Sequence, residues 1–223
     1  MKSRKSAARS QKSEIRPPAA GFHPLLILIS APSGGGKTTL CQQLLAVRPD
    51  LTRAITCTTR SPRPGEKDGV DYYFLAEADF ERRIQAGDFL EYATVFGRSY
   101  GTLRSEVLNK LRAGRNVLLN VDVQGAAAIR ECAAHEPDLK RALVTVFLTP
   151  PSADVLAERL KQRNTDPPQE IQKRLAFARE EIAQWKHFDY LLISSTIPED
   201  LRRMLSIVEA EQLRTARVPM PGF

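Results

Sequence analysis

The sequence predicts an α/β protein with a parallel sheet covered by helices on both faces, and three observations carry that prediction. Apolar runs at 25–29, 117–123, 143–148 and 190–193 have the length and the Val/Ile/Leu content of strands buried on both sides. Stretches of helical periodicity separate them, the pattern of right-handed strand–helix–strand crossovers. The first run breaks into Ala31-Pro32-Ser33-Gly34-Gly35-Gly36-Lys37-Thr38-Thr39. Strand, glycine loop and helix in that order make a P-loop, so the predicted class is a P-loop NTPase fold.

In chain order, the P-loop helix carries Leu40, Leu44 and Leu45 on one side and ends at Pro49-Asp50. Residues 53–58 alternate apolar and polar, as a strand does, and 59–69 are turn-rich loop. A short aromatic strand at 72–75, a helix at 77–86 and a strand at 89–96 follow. Residues 102–111 place Leu103, Val107, Leu108 and Leu111 on one helical face. After the strand at 117–123 comes an Ala-rich helix at 124–132. Beyond the strand at 143–148, Ser152 caps a helix running to Arg163. Asn164 to Gln169 breaks the chain before a helix at 170–185, and helix 199–212 follows the last strand. Residues 53–101 interrupt the alternation and predict a small subdomain inserted at the carboxyl edge of the sheet, where α/β sites lie.

The chain of 223 residues carries a formal charge of +7. Six basic side chains against one acid fall in residues 1–20, and Arg214 and Arg217 account for the rest, so the intervening chain is neutral. That distribution argues for two mobile tails, at 1–20 and 214–223, and against a nucleic-acid-binding face. A transit peptide is a second reading of the first tail, weakened by its lack of an apolar face. Three scattered cysteines show no disulfide or metal spacing, which predicts reduced thiols in a cytoplasmic protein. The apolar runs are too short to span a membrane.

The P-loop glycines allow backbone N–H groups to turn around phosphate oxygens. In this pattern Lys37 reaches the β- and γ-phosphates of a nucleoside triphosphate and the Thr38 hydroxyl holds Mg²⁺. Ala31 stands where the pattern usually opens with Gly. Arg60 and Arg63 lie three apart in a turn-rich loop and can clamp a phosphate dianion, with Tyr72 as a phenolic donor. Glu91 can accept paired N–H donors such as N1 and the exocyclic amine of guanine, and Asp122, read as ending a core strand, can assist. Taken alone, none of these residues is decisive, since a surface charge or a core-edge aromatic has the same sequence.

Together they resemble the guanylate kinase family, from about residue 24 to 210. The resemblance rests on APSGGGKTT, TTRSPRPGEKDGVDYYF, EYATVFGRSYGT and NVDVQGA. It implies a nucleotide-binding core (24–54, 102–151 and 183–210), a GMP-binding subdomain (55–101) and a lid (152–182) within a domain at 21–213. It implies that Ala31 to Thr39 wrap the ATP phosphates. Arg60, Arg63, Tyr72 and Tyr100 would hold the GMP phosphate, and Thr56, Glu91, Thr102 and Asp122 would read the guanine. Arg159, Arg163 and Arg174 would swing in with the lid and, with Lys37 and Arg60, act on the transferring phosphoryl group. The implied reaction is ATP-dependent phosphorylation of GMP, and of dGMP, with Mg²⁺. Three departures stand out: Asn120 replaces a frequent acid, Asn164 a frequent Gly, and Ser194-Ser195 a frequent Asn near the adenine site. A non-catalytic interaction module and a P-loop kinase for another phosphorylated acceptor are the alternatives. An intact nucleotide loop argues against the first, and the TTRSPR block with Glu91 against the second.

Overall fold

The computed structural model describes residues 23–95, 97–162 and 168–218. Its central sheet has five parallel strands in the order β2-β7-β1-β8-β9. They are β1 (Leu26–Ser30), β2 (Leu51–Arg53), β7 (Asn116–Asn120), β8 (Leu143–Thr149) and β9 (Tyr190–Ile193). β1 is buried along its whole length, because alternate side chains enter different cores. Ile27 and Ile29 face Leu40, Leu44, Met204 and Val208 from helices α1 (Lys37–Val47) and α8 (Ile197–Gln212). Leu26 and Leu28 face Val107, Leu111, Ile129 and Leu139 from α3 (Arg104–Arg112), α4 (Val123–His135) and α5 (Pro137–Ala142). A strand sandwiched between two helical layers has no polar face, which is why its sequence does not alternate.

A second sheet, β4-β3-β6-β5, is built from β3 (Cys57–Thr58), β4 (Tyr73–Phe74), β5 (Phe89–Val95) and β6 (Arg98–Leu103). Its small core is Cys57, Phe80 and Phe89, the two rings stacked at 4.5 Å, with Phe80 supplied by α2 (Glu77–Gln85). Two long helices, α6 (Ala153–Gln162) and α7 (Pro168–Ile182), pack on each other through Leu156, Leu160, Ile171, Leu175 and Ala178.

Several elements differ from the sequence expectation. The strand at 53–58 is two strands, because the chain changes sheets between them. Ala54 N–H still donates to Leu118 of the central sheet at 2.9 Å, and Ile55 N–H donates to Glu106 Oε1 at 2.9 Å. Thr102 does not open a helix. It lies in β6, opposite Glu91, and helix α3 starts at Arg104 after an extended Leu103. Nor does Asp122 end a strand. β7 stops at Asn120, and the Asp122 side chain caps α4 by accepting Gly125 N–H at 2.8 Å. Helix α5 was not anticipated; its six residues are too few for periodicity to show.

The described part of the carboxyl-terminal segment is not a free tail. Arg217 is buried, and it donates to the carbonyls of Arg141 at 3.1 Å and Leu143 at 3.3 Å and pairs with the Glu211 carboxylate. Residues 1–20, 219–223 and Arg163 lie outside the described residues.

Candidate active site

Glycine geometry sets the cradle at the carboxyl end of β1. Gly34 and Gly36 have φ of +86° and +96°, values that a side chain rarely tolerates. A Cβ on Gly34 would come within 2.9 Å of Leu160 Cδ2, so the loop is pressed against α6. Lys37 follows at the start of α1, and its Nζ donates to the Val121 carbonyl at 2.9 Å. Burial lowers its pKa, and the nearby charges of Asp122 and Glu181 act the other way. Thr38 and Thr39 are exposed at the same helix end.

Across from this cradle, Thr102 Oγ1 donates to Glu91 Oε1 at 2.6 Å. The other oxygen, Oε2, lies 3.2 Å from where a Gly125 Cβ would stand, which brings the start of α4 against the carboxylate. Burial pushes the Glu91 carboxyl above the usual range and Asp122 adds to that, against the Thr102 hydrogen bond. Asp122 thus lies within electrostatic reach of both Lys37 and Glu91, and the two halves of the site meet at the Val121–Asp122 turn.

A third group lies on the small sheet. Arg60 extends over the Tyr72 ring at 5.5 Å, and Tyr72 meets Tyr100 edge-on at 6.3 Å. The Arg60 guanidinium donates to Ser61 O and to Glu66 Oε1, each at 2.8 Å. Glu66 Oε2 also accepts Arg63 N–H at 2.7 Å, while the Arg63 side chain is exposed. Glu66 was not foreseen as a site residue, although it stands within the TTRSPRPGEK block three places after Arg63. Thr56 is half-buried beside this group and accepts Tyr73 N–H through its carbonyl at 2.9 Å.

On the far side of the P-loop is a cavity of about 460 Å³, lined by Gly36, Thr39, Arg159, Ser194, Ser195 and Asp200 among others. Arg159 Nη2 donates to Ser194 Oγ at 3.0 Å, and Ser194 Oγ donates in turn to the buried Asp200 Oδ2 at 2.8 Å. Ser195 N–H donates to Asp200 Oδ1 at 2.8 Å. The Ser194-Ser195 departure is therefore a hydrogen-bonded corner of this cavity, and Asp200, which the sequence reading did not single out, holds it. Arg174 lies half-buried on α7.

The family model for guanylate kinase matches residues 23–211. The chain belongs to the guanylate kinase family. A curated guanylate kinase of Coxiella burnetii is 43% identical over 189 residues, covering 85% of this chain and 88% of that one. One from Maricaulis maris is 40% identical over 195 residues, covering 87% of each. The crystal structure of guanylate kinase from Anaplasma phagocytophilum superposes with a TM-score of 0.67 at 31% identity, covering 89% of this chain and 90% of that one. Membership in the guanylate kinase family agrees with the P-loop fold and with the expectation of a phosphotransferase. Among the described residues no helix is long and apolar enough to cross a membrane.

Proposed function

We propose that this chain transfers the γ-phosphoryl group of ATP to GMP, and to dGMP, giving ADP and the corresponding diphosphate. The observation that carries this reading is the meeting of a half-buried lysine and a half-buried carboxylate at one turn, with Asp122 between them. A phosphate oxygen of GMP attacks the γ-phosphorus, the bond to the β–γ bridging oxygen breaks, and its electron pair leaves with ADP. The attacking phosphate is already ionised, so the protein's task is positioning and charge stabilisation.

In this reading the backbone from Ala31 to Thr39 and the Lys37 ammonium receive the ATP phosphates. The cavity beside Arg159, Ser194 and Asp200 receives the nucleoside end of ATP. Arg60, Arg63, Tyr72 and Tyr100 hold the GMP phosphate, with Glu66 steering both arginines. Glu91, its second oxygen not taken by Thr102, accepts from guanine, and Thr56, Thr102 and Asp122 complete that face. Adenine offers no matching donor pair, and leaving a half-buried carboxylate unpaired is costly. Helices α6 and α7 act as the lid, carrying Arg159 and Arg174 toward the transferring group and excluding water, and the family resemblance gives Arg163 the same task.

Mg²⁺ suits this donor set. Among the described residues no group of three acidic, His or Cys side chains gathers to hold an ion. A phosphate-bound Mg²⁺ keeps several waters and needs only one or two protein oxygens, which the exposed Thr38 hydroxyl provides. When bound it neutralises charge on the donor phosphates. The three free cysteines accord with a reducing, cytoplasmic setting.

Measuring ADP release with GMP, dGMP, AMP, CMP and UMP as acceptors tests the assignment. GMP is expected to exceed AMP by about 10⁴-fold in kcat/KM, the scale on which a hydrogen-bonding site rejects a substrate lacking the matching groups. A preference for AMP overturns the acceptor assignment, and no turnover with any acceptor favours the interaction-module alternative.

A further inference from the structure

One contact in the cradle has no part in the phosphoryl-transfer scheme above. Glu181 is the second-to-last residue of α7, and its Oε2 accepts the Ser33 N–H of the P-loop at 3.2 Å. Two charged groups face it from other elements, the Lys37 ammonium on α1 and the Asp122 carboxylate at the head of α4. Backbone N–H groups and a lysine at the head of a helix form an anion receptor. Against this receptor the α6–α7 pair sets an anion of its own, the Glu181 carboxylate.

We propose that Glu181 is an internal stand-in for donor phosphate, a carboxylate that engages the Ser33 amide of the cradle and must withdraw when polyphosphate enters. The proposal deepens the reading of this site as a nucleotide cradle and of α6–α7 as its lid. A carboxylate and a phosphate oxygen cannot share the Ser33 amide, and at contact distance their repulsion exceeds thermal energy several-fold. Filling the cradle therefore displaces the end of α7. A nucleotide that displaces Glu181 moves the lid, and a lid that removes Glu181 improves nucleotide binding by the same factor. Burial presses against the ionised carboxylate and Asp122 adds to that, while the Ser33 hydrogen bond and the Lys37 charge hold it in place.

Inorganic tripolyphosphate without Mg²⁺ is the suitable probe, because it carries no base and presents to the cradle the same polyphosphate oxygens as a donor nucleotide. Calorimetric titration of the full chain is expected to show Glu181→Gln binding tripolyphosphate about fivefold more tightly than wild type, the scale of one partly exposed charge removed. Glu180→Gln removes the same charge at the exposed neighbouring position and is expected to bind as wild type does. The single tryptophan, Trp185, stands three residues beyond the end of α7 and is 48% exposed. Its emission in the unmodified protein is expected to shift as tripolyphosphate saturates. The proposal is overturned by equal or weaker binding in Glu181→Gln, by equal tightening in Glu180→Gln, or by Trp185 emission unchanged at saturation. Loss of GMP preference in the acceptor assay would leave these outcomes intact, so the two readings fail separately.

Discussion

In the proposed function Glu91 trades stability for recognition. Its carboxylate is half-buried, near Asp122, and satisfied at one oxygen by Thr102. With its pKa raised by folding, the native state holds the proton more tightly than the unfolded chain. The ionised group therefore costs stability at neutral pH, and the cost disappears as pH falls through the folded pKa toward the ordinary value of 4.5. Glu91→Gln keeps an acceptor for Thr102 and removes the charge. Thermal melts should show it more stable than wild type at pH 7.5 by on the order of 1 kcal/mol, with the difference vanishing near pH 4.5. GMP turnover should fall sharply in the same variant, and a variant that keeps GMP turnover would remove Glu91 from base recognition. The residues of this site were legible to different degrees. Lys37 and Thr38 follow a fixed spacing after the glycines, and Arg60, Glu91 and Thr102 stand in blocks with family spacing. Glu66 and Asp200 were not legible as site residues, because each acts by holding another side chain and carries no spacing signal of its own.

At the scale of elements, the P-loop depends on packing as well as on phosphate geometry. Gly34 combines a φ of +86° with a Leu160 methyl 2.9 Å from where a Cβ would stand, so a side chain there would strain the backbone and push the Leu160 side chain aside. Gly34→Ala is expected to cost about 2 kcal/mol, combining an unfavourable backbone angle with overpacking, measurable by urea denaturation. An unchanged midpoint would mean that α6 yields easily. Strands β1 and β8 were readable because burial on both faces leaves a continuous apolar run. Strand β6 was not, since Ser99, Tyr100 and Gly101 lie in a sheet whose residues serve the site as much as a core. The division of 53–58 into β2 and β3 was hidden because both halves have strand-like sequences; the switch of partner from Leu118 to Gly101 is a tertiary event.

On the scale of the whole molecule, the carboxyl-terminal segment closes the fold. Arg217 reaches beneath the start of β8 and pairs with Glu211, whose carboxylate also accepts Tyr190 OH at 2.5 Å, pushing the tyrosine pKa up to about 12. Arg217→Ala leaves Glu211 buried without its main partner and should cost about 3–5 kcal/mol, seen as a large drop in Tm. Truncation after residue 213 should do the same, whereas a dispensable tail would leave Tm unchanged.

Strand–helix alternation and the phosphate loop were settled by the linear order of residues, because periodicity and turn chemistry act over a few positions and need no partner from elsewhere. Folding alone established which charges meet. Glu181 finds Ser33 across 148 residues, Lys37 finds the Val121 carbonyl across 84, and Arg217 finds Leu143 across 74. Such contacts leave no local pattern. They form where desolvation makes an unpaired charge costly, and that depends on how the layers pack.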